Sequence, residues 1–452
     1  MGKLFGTNGV RGVINQELTI EILCLVAKSS AHFLGKKIAV GRDARTSSPM
    51  IRDALVSALM SIGCDVYDMG VVPTPCLQYM TKKIGLDGGL MITASHNPPE
   101  FNGVKVIAAD GVEIPRDLEA KVEELYERGG PQLSDWDQIG RIREIEVIDE
   151  YIDDLKKQLN QDLIRDSGIK IALDTGNGVS ALTAPRAASE IGCKVFTVNT
   201  ELDGRFPGRG SEPTPENLGA LKSLIKSTGA DFGVGFDGDG DRSIIMDEKG
   251  TAVWGDRSLC LVADWYLEKN PGNTVVTPLS SSIGIEKVAE KHGGSVRWTK
   301  VGSVDVSRAM VENGYELGGE ENGGIMYGPF HPVRDGTMVT VLLAQILSEE
   351  KRTLSDLIAE QPGFYKGKGD IKCPNHLKKQ VLEILVKKVD APKIDTRDGV
   401  KLTYTNGNWI LIRPSGTEPK FRIYAESVDK KQLDDLIKRH EELVEEIIQG
   451  LA

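Results

Sequence analysis

Short β-branched runs alternate with longer amphipathic ones three times along this chain. The first unit carries KIAVG (37–41), the helix-spaced SPMIRDALVSALMSIG, then CDVYDMG, PTPCLQYMTKKIG and GGLMITA. Such alternation predicts strand–helix–strand units. A charged, poorly apolar stretch over 129–143 separates it from a helix predicted over IDEYIDDLKKQL, and IKIALD (169–174) restarts the pattern. The second unit continues through KVFTVN, a helix predicted from Pro215 to Ser227, and ADFGVGFDGDGDRSIIMD, where two strand-like runs flank a Gly/Asp loop. A third unit follows with a helix from Asp256, TVVTP (274–278), IGIEKVAEKHG, SVRWT (295–299) and YELGGEENGGIM. Beyond about residue 362 the character changes to strands near 400–404, 408–413 and 420–426 and a charged helix over 429–448. The expected division is 1–149, 150–253 and 254–361 as three similar α/β domains, and 362–452 as a smaller C-terminal α+β domain.

Length agrees, because 452 residues exceed the roughly 250–300 at which one core stops growing. The net charge of −11 and the lack of a long Lys/Arg run speak against a nucleic-acid partner. Cations gathered in one cleft can still hold an anionic substrate. The six cysteines are scattered without a CxxC pair, so buried reduced thiols are expected rather than zinc or a redox dithiol. No apolar leader and no run of about 18 apolar residues is evident, so no membrane partner and a cytoplasmic location are expected.

Four loops carry candidate chemistry. Thr93-Ala94-Ser95-His96-Asn97-Pro98 follows the apolar run GGLMI, the kind of strand end where open α/β sheets bind ligands. Ser95 is a candidate nucleophile there. Along an extended chain His96 would point to the opposite side, and no GxSxG elbow occurs, which speaks against a serine hydrolase; a simple turn is the plain alternative. Asp237-Gly238-Asp239-Gly240-Asp241-Arg242 sets three carboxylates at alternate positions, with glycines that let them converge on a hard cation. Glu248 even falls at the twelfth position of an EF-hand loop, but Arg242 stands where that loop needs glycine. Gly319-Glu320-Glu321-Asn322-Gly323-Gly324 offers groups suited to sugar hydroxyls, or is only a hairpin connection. Arg413-Pro414-Ser415-Gly416-Thr417-Glu418-Pro419, with Lys420 and Arg422 beyond it, is a credible phosphate cradle. A fifth segment, Gly176-Asn177-Gly178-Val179-Ser180-Ala181, fits the GxGxxA dinucleotide fingerprint and keeps an NAD-dependent oxidoreductase in view as an alternative.

In order and spacing, TASHNP with NGVK after it, DGDGDR, GEENGG and RPSGTEP resemble the α-D-phosphohexomutase superfamily over the whole chain. The opening FGTNGVRG looks most like its glucosamine-phosphate branch. The resemblance implies three α/β domains with mixed sheets plus a C-terminal α+β domain around a central cleft. It also implies an enzyme that moves phosphate between C6 and C1 of a hexose phosphate, with Mg²⁺ bound and a sugar bisphosphate as activator. By resemblance Ser95 carries the phosphoryl group, and Asp237, Asp239 and Asp241 hold Mg²⁺ together with an oxygen on Ser95. Glu320 and Asn322 contact sugar hydroxyls. Arg413, Ser415, Gly416, Thr417 and Arg422 hold the non-reacting phosphate. Arg242 and Lys105 balance the transferring charge, and Arg11, Lys105 and His96 are the candidate general acid and base. One departure stands out. The superfamily's sugar loop often reads Glu-x-Ser-Gly-His, whereas here Asn322 replaces the Ser and Gly324 the His; His331, seven residues on, is the candidate to return an imidazole to the cleft. Glucosamine 6-phosphate is the expected substrate, mannose and glucose phosphates are the near alternatives, and a homodimer is an open expectation.

Overall fold

In the computed structural model, which describes residues 4–6, 8–416 and 418–451, the alternating runs form three related mixed sheets and one antiparallel sheet. In the first, Lys37–Arg42 lies between Asp65–Val71 and Gly88–Ile92 and runs parallel to both, while Phe101–Ala108 returns antiparallel beside Gly88–Ile92. In the second, Lys170–Asp174 lies between Lys194–Val198 and Phe232–Phe236, with Ser243–Asp247 returning. In the third, Thr274–Pro278 lies between Ser295–Thr299 and Leu317–Gly319, with Ile325–Tyr327 returning. One kernel, three parallel strands and an antiparallel return, is thus repeated. The fourth sheet runs Tyr365–Lys372, Lys420–Ser427, Trp409–Pro414, Val400–Thr403, Lys393–Asp395, antiparallel throughout.

Each of the four chemistry-bearing loops is the turn between the last parallel strand and its return, or the corresponding hairpin of the fourth sheet. Backbone pairing on both sides fixes where each loop emerges. The helix Gly336–Glu350 is buried along nearly its whole length, as its sequence GTMVTVLLAQILSEE, apolar on all sides, requires. Asp335 caps it by accepting from the Met338 amide at 3.0 Å. Around it one continuous apolar cluster joins all three mixed-sheet units, from Ala39 to Ile358.

Two expectations shift. The helix expected from Pro215 begins at Gly219, because turns at Thr214 and Asn217, next to Pro213 and Pro215, hold the chain out of helix until then. The charged stretch 129–143 runs into the strand Ile142–Glu144, which pairs with Asp65–Val71 at an exposed edge and so lacks an apolar signature.

The fourth unit meets the third through buried polar groups. Lys401 Nζ donates to the Leu279 carbonyl at 2.7 Å and lies 4.0 Å from the Trp409 ring and 4.5 Å from the Trp298 ring. Lys366 bonds Asp256, and Glu426 accepts from the Ile283 amide and from Trp409 Nε1. Burial pushes the Lys401 ammonium down to about 7 from an ordinary 10.5. The unfolded chain therefore binds more protons at Lys401 between those values, and this group makes stability rise with pH across that window. Urea denaturation at pH 7 and pH 9 is expected to show that rise flattened in Lys401→Met.

Candidate active site

Ser95 sits fully buried in the left-handed region at φ 52°, a conformation that costs a non-glycine residue about 1–2 kcal/mol. Its surroundings impose it. The Ser95 amide donates to Thr93 Oγ1 at 2.9 Å, and that hydroxyl donates to Asp43 Oδ2 at 2.7 Å. Arg45, wholly buried beside Asp43, donates to the carbonyls of Ser95, Asn97, Pro98 and Phe101 at 2.6–2.9 Å. From the second unit, Ser211 Oγ lies 2.8 Å from the carbonyls of both His96 and Asn97. The loop's carbonyls are all turned inward, leaving the Ser95 and His96 side chains directed elsewhere.

Because the chain turns at Ser95, the expectation that His96 faces away is corrected. Its Nδ1 lies 3.5 Å from Ser95 Oγ. This is still no hydrolase pair. Ser95 Oγ donates to Asp237 Oδ2 at 2.6 Å, and among the described residues no carboxylate hydrogen-bonds the imidazole. Arg242, burial and Arg11 together push the imidazolium far down, so His96 is neutral.

Asp237, Asp239 and Asp241 are buried and present one carboxylate oxygen each within 4.8 Å of one another. The turn that converges them needs Gly240 at φ 77°, and its amide and that of Arg242 donate to Asp237 Oδ1 at 3.0 and 3.1 Å. Burial and the two neighbouring acids raise the Asp237 carboxyl well above the usual range. Burial also opposes the Asp241 charge, but Arg334, Lys105 and Arg242 overcome it and hold that group ionised. Lys105 Nζ reaches Asp239 Oδ2 at 2.6 Å and Asp241 Oδ2 at 2.7 Å, and Thr74 also bonds Asp239. Asp239 Oδ1 and Asp241 Oδ1 are buried without a hydrogen bond, the latter 3.9 Å from Arg242 Nε. Hard oxygens without hydrogen bonds on converging acids fit a divalent cation such as Mg²⁺.

Arg11, Lys105, Arg242 and Arg334 face Asp237, Asp239, Asp241 and Glu320 in this cluster. A divalent cation and a phosphoserine, which carries nearly two negative charges, nearly cancel and would together add little net charge to this cluster. Arg11 reaches the Ala94 carbonyl and Asn97 Oδ1 through one nitrogen, while Nε of both Arg11 and Arg242 is buried without a hydrogen bond, that of Arg242 3.9 Å from Asp241 Oδ1. Both have donors left for phosphoryl oxygens.

In the third unit Glu320 is buried and accepts from Arg334 at 2.9 Å. Asn322 folds its carbonyl oxygen back onto the Gly324 amide at 3.2 Å. Glu321 accepts from Lys368 of the fourth unit at 2.9 Å. His331 does not come to the cluster, contrary to the expectation placed on it. It is buried, with Nε2 3.1 Å from the Gly111 carbonyl and its ring edge-on to Tyr79, because the preceding Phe330 stacks on Tyr79 and carries the segment away.

The fourth loop is a hairpin turn in which Ser415 Oγ accepts from the Glu418 amide at 3.1 Å, with Gly416 exposed; Thr417 lies outside the described residues. Lys378 Nζ donates to the carbonyls of Ser415 and Glu418 at 2.7 and 2.6 Å. Arg413 is not an open grip as expected: it is buried, with Nε on Asp398 at 2.7 Å, and pins this unit to the Val301 carbonyl. Arg422, half-buried in the returning strand Lys420–Ser427, pairs with Glu418 at 2.8 Å. Among the described residues no hydrogen bond or ion pair joins this loop to the Asp cluster.

Sequence reasoning missed Asp43, Arg45, Thr74 and Arg334. Asp43 and Arg45 follow the strand KIAVG directly, so their place at a strand end was an available signal. The dinucleotide fingerprint fails its context: it opens into a 3₁₀ turn, Val179–Leu182, with the helix Ala184–Glu190 starting only after it, and the guanidinium of Arg209 covers Gly176. An EF-hand is excluded, since strands Phe232–Phe236 and Ser243–Asp247 flank the Asp loop.

Family profiles described as phosphoglucomutase/phosphomannomutase match the chain in four parts: alpha/beta/alpha domains I, II and III over residues 2–132, 149–250 and 254–365, and the C-terminal domain over 371–443. The chain is 40% identical to a phosphoglucomutase/phosphomannomutase of Thermococcus kodakarensis, with all of both chains covered. It is also 40% identical to a phosphoglucosamine/phosphogalactosamine mutase of Sulfurisphaera tokodaii, over 98% of this chain and 100% of that one. A solved phosphoglucomutase/phosphomannomutase family protein of Burkholderia thailandensis superposes with a TM-score of 0.88 at 25% identity, covering 98% of this chain and 97% of that one. With the same four-part architecture and a buried Ser–Asp cluster between its loops, the chain belongs to the phosphoglucomutase/phosphomannomutase family of α-D-phosphohexomutases.

Proposed function

We propose that the protein is a phosphoglucosamine mutase that interconverts glucosamine 6-phosphate and glucosamine 1-phosphate through a phosphoserine at Ser95. The observation that carries the reading is the hydroxyl of Ser95, 2.6 Å from Asp237 in a cluster rich in cations, with no carboxylate hydrogen-bonded to His96 among the described residues. Phosphorylated Ser95 gives its phosphoryl group to the free hydroxyl of the bound monophosphate. The bisphosphate turns end over end and returns its other phosphoryl group to Ser95. Asp237, Asp239, Asp241 and an oxygen on Ser95 would hold Mg²⁺, which when bound would supply charge neutralisation for phosphoryl transfer. Arg11 and Arg242 supply hydrogen bonds to the transferring group, and the proton of the attacking hydroxyl ends on the Ser95 oxygen that the phosphoryl group leaves. Glu320 and Asn322 read the sugar, and the turn at Ser415, Gly416 and Thr417 with Arg422 holds the distal phosphate. Arg413 acts from beneath as the pin that places this turn. A trace of sugar bisphosphate loads Ser95.

Glucosamine is preferred over mannose and glucose because the opening segment around Arg11 resembles that branch and because the relative from Sulfurisphaera tokodaii bears that name at 40% identity. Turnover of glucosamine 6-phosphate, mannose 6-phosphate and glucose 6-phosphate is compared with sugar bisphosphate present. The expected outcome is a kcat/KM at least about tenfold higher for glucosamine 6-phosphate. Equal values on all three sugars would overturn the assignment.

A further inference from the structure

Arg334 lies outside all four loops, on the segment before the buried helix Gly336–Glu350, yet it reaches two of them. Its side chain is 4% exposed. One guanidinium nitrogen lies 2.5 Å from Asp241 Oδ2 in the Asp loop, and another lies 2.9 Å from Glu320 Oε2 in the sugar loop. The planar fork suits this, since two nitrogens at fixed separation each hold one carboxylate, whereas the single nitrogen of an ammonium must draw both carboxylates to one point, as Lys105 does with Asp239 and Asp241. The path to that position runs through the space beside Gly324. A Cβ built on Gly324 would lie 2.8 Å from Arg334 Cγ and would collide with Cδ. The position where this sugar loop departs to glycine is the position the arginine needs empty.

We infer that Arg334 is a positioning residue that locks the sugar loop to the Asp loop through one guanidinium, and that residue 324 is glycine to admit it. The inference rests on the roles proposed for Asp241 and Glu320. Its physical consequence is that the acid expected to meet a sugar hydroxyl and the acid expected to meet the metal move as one body. The anchor is firm: the Asp335 amide donates to the Ile325 carbonyl, and the Asp335 side chain caps the helix and accepts from Tyr151.

Two variants separate bridging from charge. Arg334→Gln removes the cation, whereas Arg334→Lys keeps it but lacks the fork that holds the two carboxylates a fixed distance apart. Calorimetric titration of the unphosphorylated protein with Mg²⁺ is expected to show about tenfold tighter binding in Arg334→Gln, since a cation beside Asp241 is gone. Arg334→Lys is expected to stay within threefold of wild type. Both are expected to lose kcat by about 100-fold, the loss typical of a small misplacement, with KM changed far less. Gly324→Ala is expected to lose a similar factor, and Gly324→Ala with Arg334→Gln to be no worse than either alone. Weaker Mg²⁺ binding together with a lower melting temperature in Arg334→Gln would mark a scaffold role and overturn the inference. So would a kcat within threefold of wild type in either variant, or additive losses in the double variant. Failure of the proposed function is distinguishable: wild type would then turn over glucosamine 6-phosphate no better than the other hexose phosphates, or none of them, while the Mg²⁺ titrations would still report whether Arg334 is coupled to Asp241.

Discussion

Replacing Ser95 by alanine is expected to abolish mutase turnover, by roughly 10⁴-fold or more, while the protein stays folded. The size follows from the proposed chemistry: the hydroxyl is the phosphoryl carrier itself, so nothing in the site takes over the covalent step when it is removed. Folding should survive, because the loop is held by Arg45, Thr93 and Ser211 through its backbone rather than through the Ser95 side chain. The variant loses the hydrogen bond to Asp237, worth about 1 kcal/mol. Intact mass provides the second readout. Incubation with a sugar bisphosphate should add one phosphoryl group to the wild type and none to the variant. Retention of activity within tenfold of wild type would reject Ser95 as the carrier.

The repeated kernel was readable because its central parallel strands, Lys37–Arg42, Lys170–Asp174 and Thr274–Pro278, are compact apolar runs, and the four loops stood out because their polar residues are contiguous. What stayed hidden depends on contacts distant in sequence. Arg45 lies fifty residues before the loop whose carbonyls it gathers, and Arg334 lies ninety-three residues after Asp241; neither shows a spacing that predicts its partner. The orientation of His96 followed an assumption of extended chain that the positive φ of Ser95 breaks. His331 has the right residue type near the right loop, but its ring follows Phe330 into an aromatic contact with Tyr79. Arg413 belongs to a phosphate-like sequence, yet Asp398, fifteen residues earlier, claims its Nε. Local composition thus located the chemistry, while side-chain direction was set by tertiary partners.

The same reasoning gives the second large effect, on removal of the divalent cation. Chelation is expected to lower turnover roughly 10³-fold, with Mg²⁺ restoring it, since a metal at such a site contributes several kcal/mol to charge stabilisation during phosphoryl transfer. A readout independent of activity is available. A ligand that binds only the folded state adds about 2.7 kcal/mol at one hundred times its Kd, so Mg²⁺ should raise the melting temperature of the unphosphorylated protein. Asp239→Asn should lose both the melting shift and the turnover. In the wild type Asp239 meets Lys105 and Thr74 through Oδ2, and its Oδ1 is left buried and unpartnered. The variant therefore keeps the shape of the turn but replaces half of the anionic pair around Lys105 with a neutral amide. Asp241→Asn should fall further, because Asp241 also meets Arg334, and its neutralisation leaves a second buried cation short of its counter-charge. If turnover in chelator matched turnover in Mg²⁺ and the melting temperature did not respond, the oxygens of Asp239 and Asp241 that accept no hydrogen bond would need another guest than a metal ion.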